Sequence, residues 1–292
     1  MPSTRDIRRR IKSVKNTAQI TKAMQMVAAA KMRKAQLAAL AGRPYAALMN
    51  NVLGELGKDS EDFRHPLMAE REIKKTAVIL VSTDKGLCGA LNANLMREAA
   101  KLNKDTTVFI CAGKKGSQFI ARTRRQLAAE FTYKDSPAFS EARAISKFAR
   151  DLFLKGEVDR VELFYTSFIS TLSQKPETQT LMPVGELARI SAKVAGEEVE
   201  AAGGEGLQFQ FEPNAERVLG ALIPHYLNFQ VYQCLLEAKA SEHSSRMVAM
   251  KNATDNAKQL IKDMTLEYNK LRQANITKEL LEITSAAMAM GN

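Results

Sequence analysis

The sequence predicts an α/β protein in which the N- and C-terminal helices form a long antiparallel two-helix coiled coil beside a small, mostly parallel α/β domain. Three observations lead there: a heptad seam at the start of the chain, a closing stretch nearly free of helix breakers, and β-rich runs alternating with helical stretches between them.

From Thr4 to about Leu56, apolar residues follow an alternating 4-3 spacing: Ile7, Ile11, Val14, Ala18, Ala28, Met32, Ala35, Ala39, Ala46, Met49, Leu53 and Leu56. That spacing is a helical seam that requires a partner helix. Thr21, Gln25 and Gly42 occupy the same seam, so its middle is small and grips weakly. Gly42 and Pro44 are expected to bend the helix.

The closing stretch runs from Asn214 to about Met288, with no glycine between Gly220 and Gly291 and no proline after Pro224. Met250, Ala253, Ala257, Leu260, Met264, Leu271 and Ala274 supply its seam. At 1.5 Å per residue the two helices would be about 80 and 110 Å long, too long for either to bury itself in an ordinary domain. Since they lie at opposite ends of the chain, antiparallel pairing with each other is the economical solution.

Between them, Ala77–Val81, Thr107–Cys111 and Val161–Tyr165 are apolar runs of strand length. Helical stretches around Asn92–Leu102, Gly116–Arg125 and Ala138–Lys155 separate them, the βαβ pattern of a parallel sheet. Residues 195–206, rich in Gly, Ala and Glu, read as a flexible connector. The expected division is residues 1–57 for the first helix, 70–210 for the α/β domain and 212–292 for the second helix.

Composition excludes several classes. With 45% hydrophobic residues the chain has enough apolar material for a core, which removes the disordered class. No run approaches the roughly 18 to 20 apolar residues of a membrane span, and no apolar stretch follows the basic start as in a secretory signal. Cys88, Cys111 and Cys234 lie far apart without metal or redox spacing, as expected of buried thiols in a reducing compartment.

Charge is concentrated. Residues 1–40 hold ten Lys or Arg against Asp6 alone, a net of +9 out of +11 for the whole chain. A stripe this basic calls for an acidic partner, and nucleic acid, anionic lipid or an acidic protein surface would each serve. Residues 1–44 contain no Phe, Tyr or Trp to stack on bases, which weakens the nucleic-acid reading.

Candidate chemistry is sparse. The loop Ser82-Thr83-Asp84-Lys85-Gly86-Leu87-Cys88-Gly89 lacks the G-x-x-x-x-G-K-[ST] order that wraps amides around a phosphate. Ala112-Gly113-Lys114-Lys115-Gly116 lacks the third glycine of a dinucleotide turn. His65, His225 and His243 have no readable nucleophile and orienting group, and His243, in the polar stretch SEHSSR, is expected to be exposed or at a helix interface. Glu279 and Glu282 share a helix face but read as solvated. No catalytic residue, metal ligand or cofactor is assigned.

Both ends carry a resemblance. Arg5 to Val14, Asn16-Thr17 and Ile20 to Lys34 (ITKAMQMVAAAKMRK) closely resemble the opening helix of ATP synthase gamma subunits. Ser245 to Ala257 (SRMVAMKNATDNA) and Tyr268 to Leu280 (YNKLRQANITKEL) resemble the closing helix, and Ser82 to Gly89 the first strand-to-helix turn. The resemblance implies a non-catalytic rotor shaft standing inside a ring of alternating alpha and beta subunits, with its foot on the membrane c-ring beside the epsilon subunit. It implies coupling of proton flow to ATP synthesis or hydrolysis. It places the chain peripherally on the cytoplasmic face of a bacterial inner membrane, without insertion.

On the same resemblance, Met24, Lys31, Arg33 and Lys34 match the shaft surface facing the acidic loops of the beta subunits. Arg246, Gln273 and Thr277 match closing-helix positions near that region, and Arg272 with Gln273 the point caught by a beta-subunit loop. Phe209-Gln210-Phe211-Glu212-Pro213 resembles the foot segment that meets the ring and epsilon, with Glu212 as its contact. The segment with a redox-active cysteine pair found in chloroplast gamma subunits is not among these 292 residues. Two rival classes remain, a basic coiled-coil nucleic-acid-binding protein and a nucleotide-dependent α/β enzyme.

Overall fold

The computed structural model describes residues 3–58, 65–184 and 215–291; the expected connector at 195–206 and the foot segment 209–213 with Glu212 lie outside the described residues. In chain order the elements are α1 (Thr4–Lys58), a 3-10 turn (Pro66–Met68), β1 (Thr76–Val81), α2 (Leu91–Lys101), β2 (Thr107–Ala112) and α3 (Lys114–Arg122). There follow β3 (Gln126–Phe131), α4 (Phe139–Leu154), β4 (Arg160–Phe168), β5 (Gln174–Met182) and α5 (Ala215–Met290). The chain divides into two compact units, Met1–Ala28 with Arg246–Asn292, and Ala29–Ser245.

In the first unit the seam behaves as its spacing requires. Ile7, Ala18 and Ala28 of α1 are buried, as are Met250, Thr254 and Ala257 of α5. Small side chains bring the backbones close enough for the Thr21 and Thr254 hydroxyls to meet at 2.7 Å. Each hydroxyl lies near a carbonyl of its own helix as well, Thr21 Oγ1 3.1 Å from Ala18 and Thr254 Oγ1 2.8 Å from Met250.

Two expected seam positions on α5 are displaced. Leu260 is 48% exposed, and the half-buried residue is its neighbour Ile261, which continues the run from Ala257 through Met264, Tyr268 and Leu271. Ala274 is exposed as well, for a reason of register: with Thr21 opposite Thr254 in antiparallel helices, Thr4 falls opposite about residue 271, so α1 has ended.

In the second unit the same two helices flank a five-stranded sheet of order β3-β2-β1-β4-β5. Strand β1 is parallel to both β2 and β4, β2 is parallel to β3, and β5 returns antiparallel to β4. Ala77, Ile79 and Val81 pack on one face with Ile145 and Phe153 of α4, Met49 and Leu53 of α1, and Leu219 to Ala238 of α5. Val78 and Leu80 pack on the other face with Leu95 and Ala99 of α2 and Ile120 of α3. Being covered on both sides, β1 and β2 had to be continuous apolar runs. Truncating a core ring such as Phe153 to Ala would cost about 3–5 kcal/mol.

The sequence reading missed β3 and β5. Both are edge strands whose exposed positions are mostly polar, Gln126 and Glu130 beside Ala128 on β3, which alternates in burial, and Lys175 and Glu177 on β5, which also carries Pro176. Helix α3 also ends earlier than expected, at Arg122, because Arg124 turns the chain with φ of 53° into β3. The anticipated bend site does not interrupt α1, which runs through Gly42 and Pro44. Gly42 instead makes room, since a Cβ there would press on the Gln233 amide and approach Phe229 of α5.

All three cysteines are buried. Burial pushes the Cys111 thiol up to about 12, with Glu130 adding to the effect, and pushes Cys234 well above its ordinary value. The native chain is therefore expected to leave its thiols unlabelled by a thiol reagent at neutral pH and to label all three once unfolded. Rapid labelling of two or more in the native chain would contradict this packing.

Candidate partner-contact surfaces

The glycine loops at the ends of β1 and β2 already have occupants. Helix α3 opens on Gly113, whose φ of 107° and whose approach to Ser82 leave no room for a side chain. Its first-turn amides, the groups that would cradle a phosphate, are each taken from within: Lys114 N donates to Asp84 Oδ1 at 3.0 Å. Lys115 N donates to the Thr83 carbonyl at 3.0 Å and Gly116 N to Ser82 Oγ at 2.8 Å. The Asp84 carboxylate stands where an anion would bind.

The histidines serve structure. His65 Nδ1 accepts from Leu67 N and caps the 3-10 turn, and His225 Nε2 lies 2.7 Å from the Tyr45 hydroxyl. His243 is 2% exposed, so of the two expected environments it takes the interface. Glu282 pairs with Lys278 at 3.7 Å on a solvated face, as its spacing from Glu279 suggested. Among the described residues no group of three His, Cys, Asp or Glu could hold a metal ion. No described helix is long and apolar enough to cross a membrane.

Of the expected contact residues, Met24, Arg246, Arg272, Gln273 and Thr277 lie in the first unit. Met24 and Arg246 are half-buried; Arg272, Gln273 and Thr277 are exposed, with Thr277 Oγ1 donating to the Gln273 carbonyl at 3.0 Å. From Arg272 to Ala289 every residue of α5 is exposed, including Ile276, Leu280, Leu281, Ile283 and Met288.

Lys31, Arg33 and Lys34 lie in the second unit, all exposed. Lys31 is engaged within the chain, its ammonium donating to Asp135 Oδ2 in the loop after β3. Asp135 also faces Lys239 of α5 at 3.8 Å. Lys239 is 1% exposed, pairs with Glu242 at 3.0 Å and stands 4.5 Å from the Tyr133 ring centroid. The Lys31 hydrogen bond, helped by Lys239 and His243 and opposed by partial burial, holds the Asp135 carboxyl below its usual range.

Comparison with known proteins decides the family. The family model described as ATP synthase matches residues 3–290. The ATP synthase gamma chain of Opitutus terrae is 51% identical over 99% of both chains, and that of Methylacidiphilum infernorum 46% identical over 100% of both. The chain belongs to the ATP synthase gamma chain family. Among solved structures, a chain from the central stalk and c-ring of the Tetrahymena thermophila mitochondrial ATP synthase matches with a TM-score of 0.62 at 28% identity, covering 80% of this chain and 99% of that one. A chain of the Euglena gracilis mitochondrial enzyme shares the fold, with a TM-score of 0.69 at 20% identity over 98% of this chain and 94% of that one.

The family resemblance pointed to both helices but not to the ion-pair group around Asp135. Asp135 lies in a loop with no periodic signal, and Lys239 and Glu242 looked like ordinary polar positions of a helix. The three-residue spacing of Lys239 and Glu242 was the one available hint.

The depressed Asp135 carboxyl has a testable consequence. The unfolded chain takes up this proton at higher pH than the folded one, so the associated stability is present above the ordinary carboxylate range and is lost as pH falls through the folded value. Thermal unfolding of the chain with Asp135→Asn, compared with the unsubstituted chain between about pH 3 and 6, should show a shallower acid loss. Identical acid limbs would contradict the assignment.

Proposed function

We propose that the chain is the gamma subunit of a bacterial F-type ATP synthase, the central shaft that turns within the alpha/beta ring and couples proton flow to ATP synthesis or hydrolysis. The observation that carries this is the bare end of α5, which continues past Leu271 with every residue through Ala289 exposed and five large apolar side chains in water. A lone helix of that length is marginal in water. An apolar stripe of that extent calls for a surrounding protein surface, and a collar of catalytic subunits supplies one. The small, uncharged tip Ser285–Met290 suits a bearing that turns without holding a fixed contact.

On this reading Arg33 and Lys34, with Lys31 held beside them by Asp135, face the acidic loops of the beta subunits, with Met24 and Arg246 as further contacts on the shaft. Arg272 and Gln273 form the point that a beta-subunit loop catches, with Thr277 close by on the same helix. Exposed ion pairs contribute about 0 to 1 kcal/mol each, so the push is spread over many contacts. Glu212 and its neighbours would meet epsilon and the c-ring at the foot. The chain is peripheral on the cytoplasmic face of the inner membrane and catalyses nothing by itself, in keeping with α3 amides that are already occupied. The net of +9 over residues 1–40 then answers acidic protein surfaces rather than nucleic acid.

Two truncations separate bearing from catch. Deleting residues 286–292 should leave proton-driven ATP synthesis in membranes largely intact, whereas ending the chain at Leu271 should reduce it sharply although the α1–α5 seam is whole. Equal rates from the two truncated chains would refute the proposal.

A further inference from the structure

The stretch Lys239 to Ser244 of α5 reads as a solvated helix turn, yet all six residues are 2% exposed or less. Its polar groups are aimed in two directions. Towards α1 and the β3–α4 loop, Lys239 meets Glu242, Asp135 and the Tyr133 ring, and Asp135 accepts in turn from Lys31. Tyr133 extends the set to the end of β1, its hydroxyl donating to the Ser82 carbonyl at 3.0 Å. Towards the β4–β5 hairpin, Ser241 Oγ donates to the Thr166 carbonyl at 3.0 Å and Ser244 Oγ to the Thr171 carbonyl at 2.8 Å. The adjoining Ser245 Oγ reaches Gln174 Oε1 at 2.8 Å.

Nearer the start of α5, Leu219, Ile223, Leu227, Val231 and Leu235 pack mainly by shape, with scattered polar contacts such as His225 to Tyr45 and Gln230 to Gln179. Apolar contact is non-directional, so a helix can turn or slip a little by repacking its neighbours. Hydrogen bonds weaken steeply with angle, and a buried polar group left without one costs about 1–3 kcal/mol. Rotating α5 about its axis, or sliding it by one residue, would break the serine bonds and the contacts of Lys239 with Asp135 and the Tyr133 ring together, while the Lys239–Glu242 pair moves with the helix. The buried Lys239–Glu242 pair lies within α5, so what fixes the alignment of the helix against the sheet domain is the reach of Lys239 to Asp135 and Tyr133 together with the serine bonds.

We propose that residues 239–245, with Asp135 and Lys31, form the torque joint of the chain, the place where the sheet domain is locked to both long helices against relative rotation. The proposal rests on the shaft reading above and adds to it where the turning force passes. Asp135 is its central positioning residue, because it alone bridges α1 and α5 through side-chain ion pairs from the sheet domain among the described residues.

The test uses the whole ATP synthase complex with the catalytic ring immobilised and a probe on the sheet domain. Torsional stiffness is read from the probe's angular fluctuation, and coupling from the ratio of ATP-driven proton pumping to ATP hydrolysis. Asp135→Asn should lower stiffness to about half, because one of two directional attachments is lost, and should lower the pumping ratio. Ser241→Ala with Ser244→Ala should act alike through the hairpin side, which keeps the test open if the Asp135 variant does not fold. Lys31→Arg should retain stiffness where Lys31→Gln loses it. Leu235→Ala is the control, a buried apolar truncation in the same helix that should lower melting temperature without softening the shaft. The joint is refuted if the Asp135 and serine variants assemble and turn with unaltered stiffness and pumping ratio, or if Leu235→Ala softens the shaft equally. Failure of the unsubstituted chain to assemble and turn would overturn the shaft reading itself, and the joint with it.

Discussion

In the middle of the first unit's seam the residues are too small to hold two long helices by area, although Ile7, Met250 and Ile261 pack elsewhere along it. Ala18, Ala28 and Ala257 bring little surface, and the closest approach is a hydroxyl pair, Thr21 with Thr254. A Leu-rich seam would bind more tightly and tolerate several registers, whereas a polar pair at one layer favours one alignment. The rest follows from that alignment: where α1 ends, which residues of α5 lose cover, and therefore which length of helix is offered to partners.

The second unit solves the opposite problem. Its α5 segment is almost wholly buried against the sheet and α4, and apolar packing there is ample. What apolar packing lacks is direction, and the buried turn Lys239–Ser244 supplies it through the contact of Lys239 with Asp135 and the serine bonds to the β4–β5 hairpin. Small seam residues where α5 meets α1 and directed polar contacts where it meets the sheet domain give one helix two kinds of packing.

Much of this was legible in the chain. Every described seam position of α1 from Ile7 to Leu53 that the 4-3 spacing picked out is buried or half-buried. The three central strands were visible because strands covered on both faces are predominantly apolar, with Glu162 the polar exception in the run Val161–Tyr165. Edge strands β3 and β5 escaped notice for the converse reason, since most of their outward positions are polar. Leu260 was misplaced by one residue because Ile261 is equally apolar, and only the partner's register separates them. The Asp135 group was invisible because its members come from three distant parts of the chain and none of them is apolar.

The pairing of the two helices as one turning body is tested most directly by covalent locking at its polar layer. Thr21→Cys with Thr254→Cys brings the two thiols close enough for a disulfide, since the native hydroxyls are 2.7 Å apart. Proton-driven ATP synthesis would be measured in membranes before and after oxidation and after reduction. The account predicts nearly complete cross-linking with synthesis retained, because helices that turn together lose nothing by being tied. Failure of the pair to cross-link, or a loss of synthesis on oxidation that reduction restores, would contradict it.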